Sequence, residues 1–346
     1  MSLLQPDTWT LVVAVPVFLA CTAAIALFGT RITAVVDQLA DRTGIGEAIA
    51  GAVLLGAATS LGGATVSVTA AWHGSADLAL GNALGGIAMQ FAALAVADFA
   101  YRRANLEHAA ASPENLMQTG LLIALLALIL LAPALPEFTV WQVHPVTPVM
   151  LGAYLYGLHL IGAVRENPMW QPTHTAETRP DEPEDLRHVP ALLPLALRFL
   201  ALMGLLGAAG WLMEHAASTI VERTWFSATA VGVLFTAVAT SLPELVTSVA
   251  AVRRGALTLA VGGIIGGNAF DTLFTAAADV AYRDGSIYHR MTDSVVFWAA
   301  LTMLMAAVLL MGLIRREKQG PAGIGVESIL LLALYGGGIA LLLGMD

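Results

Sequence analysis

The sequence predicts an all-α integral membrane protein of ten transmembrane helices, arranged as two inverted five-helix repeats. Three observations carry that expectation: a scarcity of charge, ten apolar runs of bilayer length, and a match between the two halves of the chain. Of 346 residues, 58% are hydrophobic and 12% are charged, and the mean hydropathy is +0.77. A soluble domain carries about 25% charged residues, so this chain cannot cover a water-facing surface and lipid becomes its expected surroundings. A net charge of −9 argues against a nucleic-acid partner, and no protein partner is inferable. The single Cys21 lies in an apolar run and excludes a disulfide framework.

The first apolar run, 10–29, has no basic region before it and reads as a retained helix rather than a signal peptide. Further runs follow at 46–72, 77–101, 116–135 and 145–164, then at 189–213, 226–252, 257–282, 292–314 and 324–344. Each meets the requirement of about 20 mostly apolar residues, and helices satisfy their backbone groups internally where lipid offers no partners. The loops after spans 1, 3, 5, 7 and 9 hold twelve of the sixteen Lys and Arg residues, and the opposite loops hold three: Arg223, Arg283 and Arg290. Basic loops stay in the cytoplasm, which places both termini outside a prokaryotic-type plasma (inner) membrane. The longest connection, 165–188, has four prolines and the acidic cluster Asp181, Glu182, Glu184 and Asp185. It reads as a solvated cytoplasmic linker between a first unit, 1–164, and a second, 189–346.

The two units match at an offset of 181 positions. Residues 59–90 against 240–271 give 13 identities in 32, among them Thr59/Thr240, Ser60/Ser241, Gly85/Gly266 and Gly86/Gly267. Further on, Asp98 and Arg102 lie opposite Asp279 and Arg283, each Asp four residues before its Arg and expected to pair with it. Five spans per unit is an odd number, so the second copy enters the membrane from the other side. Inverted repeats of this kind are common in secondary transporters, whose sites lie at the midplane on interrupted helices.

The candidate chemistry lies in the matched stretch. Span 7 reads Thr240-Ser241-Leu242-Pro243-Glu244. Proline removes a backbone donor and is expected to free carbonyls near Thr236 to Ala239. A carboxylate at membrane depth costs roughly 2.5–3.5 kcal/mol on insertion scales, so Glu244 needs a partner, a proton or an ion. Span 8 carries Gly262, Gly263, Gly266 and Gly267, then Asn268 and Asp271 three residues apart on one helix face. Gly81, Gly85, Gly262 and Gly266 read chiefly as packing positions, and Ser67 and Ser248 as packing hydroxyls. Oxygen-rich, sulfur-free ligands suit hard cations such as Ca²⁺ or Na⁺. None of the eight histidines shows metal-ligand spacing, and no nucleophile–base set points to an enzyme.

Ala239-Thr-Ser-Leu-Pro-Glu244, followed by the glycine-rich stretch to Asp271, resembles the second α-repeat of the Ca²⁺:cation antiporters, the sodium/calcium exchanger superfamily. The resemblance implies alternating access, with spans 1 and 6 sliding against the rest. It implies no permanently bound cofactor, and Ca²⁺ with Na⁺ or H⁺ as the transported ions. It also implies ligands from Thr240, Glu244 and Asp271 with a carbonyl near Ala237. The first repeat would add Thr59, Gln90 and a carbonyl near Gly56. Ser60, Ser241 and Asn268 complete the candidate set. The chain departs from the family pattern in its first repeat: Gly62-Gly63 stands where Pro-Glu is expected, and Gln90 replaces an asparagine. Glu244 and Asp271 together supply at most −2, enough for one divalent or two monovalent cations. A transporter switched to another cation or small solute, and a non-transporting ion-binding membrane scaffold, remain as alternatives.

Overall fold

The computed structural model describes residues 9–43, 59–101, 104–166, 168–171, 173, 191–254, 257–320 and 324–345. The longer helices are α1 (Leu11–Thr43), α2 (Leu61–Trp72), α3 (Ala76–Ala100), α4 (Pro113–Leu131), α5 (Val146–Glu166) and α6 (Leu192–Arg223). They continue with α7 (Ala228–Thr240), α8 (Leu242–Arg254), α9 (Leu257–Asp271), α10 (Leu273–Ala281), α11 (Asp293–Arg315) and α12 (Val326–Met345). Among the described residues, seven helices are long and apolar enough to cross a membrane, or eight if the bent pair α7–α8 is one span. Only the second part of the predicted span 46–72 is described, and most of the 165–188 linker lies outside the described residues.

Two of the helices overrun their predicted spans. α1 has 33 residues and α6 has 32, roughly 50 Å each at 1.5 Å per residue, against a hydrocarbon core of about 30 Å. Hydropathy marks where apolar side chains stop; nothing after Gly29 or Met213 breaks the backbone, so the helices continue. α1 packs along α6, and α6 also crosses α2. Their most apolar windows are only 17% buried, and Val12, Leu19, Leu27, Leu193, Leu197 and Leu200 are exposed on the outside of the bundle.

α3 is the opposite case, with 89% of its apolar window buried. Its small residues let other helices approach closely. A Cβ on Gly85 would lie 2.7 Å from the Val233 Cα, and one on Gly232 would lie 2.9 Å from the Asn82 nitrogen. At this crossing the predicted packing role of Gly81 and Gly85 holds. The facing stretch, Val231–Thr236, is π-helical, a local widening that occurs frequently at functional sites.

Two interruptions follow. α7 and α8 meet at 43° around Ser241. Pro243 occupies the first turn of α8, where a missing N–H breaks no helical bond. The second break, at Thr272, carries no proline. Its hydroxyl donates to the Ala269 carbonyl at 2.6 Å, the local side-chain bond that competes with a continuous helix. The single cysteine, Cys21, is buried and free.

The expected Asp–Arg pairing does not form at Asp279. Its carboxylate accepts from the backbone N–H of His144 at 2.8 Å, from that of Ile287 at 3.2 Å, and from the Thr147 hydroxyl at 2.6 Å. Arg283 lies instead over the Trp72 ring. Asp98 accepts from the N–H groups of Leu106 at 2.7 Å and Gly325 at 3.0 Å; Arg102 is outside the described residues. A buried carboxylate satisfied by backbone donors ties down a loop, and that is the structural use of both aspartates.

Candidate functional site

The four segments that carry the sequence candidates converge on one buried cavity. Thr59 and Ser60 stand at the start of α2, and Gln90 is midway along α3. Thr240, Ser241 and Glu244 flank the α7–α8 bend, and Asn268 and Asp271 end α9. All eight are buried. The cavity is small, about 10 Å³, and is lined by Ser60, Gln90, Thr240, Ser241, Glu244 and Asp271, together with Gly63, Asn82, Ala83, Gly86 and Phe274. Thr59 and Asn268 are buried outside that lining, and Gly56 falls outside the described residues.

The hydrogen bonds leave oxygen atoms over. Gln90 Nε2 donates to Asp271 Oδ2 at 2.6 Å, and the Ser60 hydroxyl donates to Glu244 Oε1 at 3.4 Å. Glu244 Oε2, Asp271 Oδ1, Gln90 Oε1 and both polar atoms of Asn268 have no hydrogen-bond partner. A buried polar atom left unpaired costs roughly 1–3 kcal/mol, so a concentration of them marks a place built for something else to bind. Among the described residues, no Lys, Arg or His lines the cavity. The carbonyl of Ala237 accepts from the Ser241 N–H at 3.1 Å and the Thr240 hydroxyl at 3.3 Å. In this conformation the predicted free carbonyl is engaged by its own helix end.

Asn82 was not among the sequence candidates. Its amide donates to the Gly63 carbonyl at 3.0 Å and to the Ser67 hydroxyl at 2.9 Å, while its Oδ1 is buried without a partner. Ser67 in turn donates to the Ala79 carbonyl. Comparing the two halves passes over Asn82, because its counterpart at the 181 offset is Gly263; an isolated amide in the middle of the most buried helix was the available signal. Phe274 was also missed. A Cβ on Gly63 would lie 3.3 Å from the Phe274 Cε2 and 3.4 Å from the Thr240 hydroxyl oxygen. A Cβ at position 63 would therefore press on an aromatic ring and a hydroxyl at the cavity wall, each of which would have to give by a few tenths of an ångström.

The model of the sodium/calcium exchanger protein family matches residues 13–163 and 193–344. The chain is 28% identical over 314 residues to the putative antiporter CaxA of Alkalimonas amylolytica, covering 86% of this chain and 89% of that one. It is 25% identical over 287 residues to the inner membrane protein YrbG of Escherichia coli (strain K12), covering 82% and 83%. Among solved structures, the H⁺/Ca²⁺ exchanger CAX superposes with a TM-score of 0.68 at 12% identity, over 96% of this chain and 86% of that one. The sodium-calcium exchanger NCX_Mj superposes with a TM-score of 0.59 at 19% identity, over 96% and 99%. These likenesses show the fold, and the family match covers both halves of the chain and the segments around the cavity. The chain is thus an integral membrane protein that belongs to the sodium/calcium exchanger protein family.

Proposed function

We propose that this protein is a secondary cation antiporter that exchanges Ca²⁺ for Na⁺ or H⁺ by alternating access, with the cavity between α2, α3, α8 and α9 as its cation site. The observation that carries this reading is the pair Glu244 and Asp271: two buried carboxylates at one cavity, each with an oxygen that has no hydrogen-bond partner among the described residues. Oxygen donors of this kind match a hard cation. Glu244, Asp271 and Thr240 act as the principal ligands. Thr59, Ser60, Gln90, Ser241 and Asn268 support them, and the backbones at Ala237 and Gly56 close the set. A charge of −2 balances one Ca²⁺ or two monovalent ions. An H⁺-coupled cycle would load one of the carboxylates with a proton in the return step.

The finer architecture follows the same reading: ten spans, in an inverted pair of five-helix units over 1–164 and 189–346, with the 165–188 linker cytoplasmic and both termini outside. Support comes from bonds that recur at the 181 offset. Asp98 accepts from Leu106 and Gly325, and Asp279 accepts from the matching Ile287 and His144. Gln90 and Asp271, themselves 181 residues apart, touch each other, as equivalent residues do beside a pseudo-two-fold axis.

A second reading is a transporter for a different cation or a small solute. The lack of a carboxylate at Gly63, which faces the Phe274 ring and Thr240, favours it, because that side of the cavity then offers no negative charge. Uptake of radiolabelled Ca²⁺ into proteoliposomes, with Na⁺ and pH gradients imposed separately, decides between them. The first reading expects uptake driven by one of the gradients and reduced to background by Glu244→Gln. Gradient-independent retention, or undiminished uptake by Glu244→Gln, overturns it.

A further inference from the structure

His73 follows the last residue of α2, and Glu214 and His215 lie in the last third of α6. The sequence separates them by more than 140 positions, so no spacing rule links them. Yet a ring nitrogen of each histidine and a carboxylate oxygen of Glu214 all lie within 4.8 Å of one another. His73 Nδ1 is 3.4 Å from Glu214 Oε1, and His215 Nδ1 is 2.9 Å from Glu214 Oε2. Tetrahedral Zn²⁺ with ligands at about 2.1 Å sets neighbouring ligand atoms about 3.4 Å apart, so the cluster needs little adjustment to close on an ion.

The supporting contacts have the same character. His215 Nδ1 lies 2.8 Å from the Trp211 carbonyl. Nδ1 therefore carries a proton in the metal-free protein, and a metal bound through this nitrogen displaces it. The Ser218 hydroxyl donates to Glu214 Oε1 at 2.9 Å. Among the described residues, Glu214 Oε2 is buried with no well-aligned hydrogen bond, the His215 ring at 2.9 Å being its polar contact. The Glu214 side chain is 1% exposed and that of His73 is 46% exposed, so the site has a buried anchor and an open side. Three protein ligands leave a fourth position for water. All three residues lie just past the predicted ends of spans 2 and 6, which places them at the same face of the membrane.

We propose that His73, Glu214 and His215 form a site for a divalent transition metal of the Zn²⁺ class, clamping α6 to the end of α2. Two imidazoles and one carboxylate select a borderline metal over Ca²⁺, which prefers six to eight oxygens. The site is separate from the cation cavity and shares no residue with it. If α6 moves during exchange, a metal held here slows exchange; that consequence alone rests on the antiporter reading.

The test is calorimetric titration of Zn²⁺ alone into the full-length protein in detergent, with millimolar Ca²⁺ present. The variants are His73→Gln, His215→Gln and the cavity double variant Glu244→Gln/Asp271→Asn. The expected result is one Zn²⁺ per chain in the wild type and in the cavity variant, with affinity at least tenfold weaker in each histidine variant. Absorption of bound Co²⁺ in the visible range, from a tetrahedral site, should be lost with His73→Gln. His73 is half-exposed, so its change leaves the fold intact, and an unaltered thermal unfolding midpoint without metal checks this. Unchanged Zn²⁺ affinity in His73→Gln, or loss of binding only in the cavity variant, would overturn the proposal. Neither outcome depends on which ion is transported.

Discussion

The two sides of the cavity share a backbone plan and differ in charge. On one side Thr59-Ser60-Leu61-Gly62-Gly63 leads into α2, with Gln90 beyond it on α3; on the other Thr240-Ser241-Leu242-Pro243-Glu244 spans the α7–α8 bend, with Asp271 on α9. The hydroxyls recur at the same offset, and both carboxylates come from the second side. The residues that anchor loops behave differently. Asp98 and Asp279 each hold two backbone N–H groups at matching positions. The scaffold thus tolerates asymmetry at the cavity but repeats its buried backbone anchors, because an unsatisfied buried N–H destabilises any conformation of the protein.

Removing charge from the acidic side has the largest expected effect. Asp271→Asn should lower gradient-driven Ca²⁺ uptake to background, as Glu244→Gln should, since a −1 site no longer balances a divalent ion; proteoliposome flux measures it. The reverse change adds charge to the neutral side. Gly63→Glu introduces atoms against Phe274 at about 3.3 Å, and overpacking of this kind costs typically 1–3 kcal/mol, read as a lower unfolding temperature. Combining it with Phe274→Ala should restore stability and alter the ion-coupling ratio. If Gly63→Glu alone is fully stable, the side chain has another way out and the filled-space account fails.

A smaller effect is expected at Gln90→Leu. Asp271 Oδ2 loses its amide donor, which costs roughly 1–3 kcal/mol, and the cavity loses the Gln90 oxygen, so Ca²⁺ binding should weaken. Binding in detergent measures it, and no change in either stability or affinity would contradict the bond's importance.

The smallest effect lies at the loop anchors. Glu107 sits near Asp98 where the counterpart of Asp279 has Tyr288, and Ser328 donates to it at 3.1 Å. Burial, reinforced by the charge of Asp98, pushes the Glu107 carboxyl up to about 7. The unfolded chain releases this proton at lower pH, so the folded state binds more protons between about pH 4.5 and 7. Stability is therefore full below that window, falls as pH rises through it, and stays at the lower level above pH 7. Glu107→Gln should flatten that decline in thermal unfolding; an identical pH profile in the variant would count against the shift.

Much of this was legible in the sequence. Scarce charge and apolar run length are thermodynamic demands of lipid, so the all-helical membrane class is legible, with seven or eight of the ten expected spans among the described residues; the segments around Glu244 and Asp271 do converge on one cavity. What was not legible depended on contacts between segments. The Asp279–Arg283 expectation failed because spacing on one helix says nothing about backbone donors arriving from His144 and Ile287. The π-helical stretch and the break at Thr272 carry no proline and are set by packing on α3 and by a hydroxyl bond. Asn82 and Phe274 were missed because neither has a like residue at the 181 offset. The His73–Glu214–His215 cluster is visible only in three dimensions.

The central claim is that Glu244 and Asp271 hold the transported cation. Equilibrium binding of radiolabelled Ca²⁺ to the purified protein, in the wild type and in Glu244→Gln, tests it most directly. One saturable Ca²⁺ per chain that is lost in the variant is the predicted result; binding of equal stoichiometry and affinity in both would contradict it.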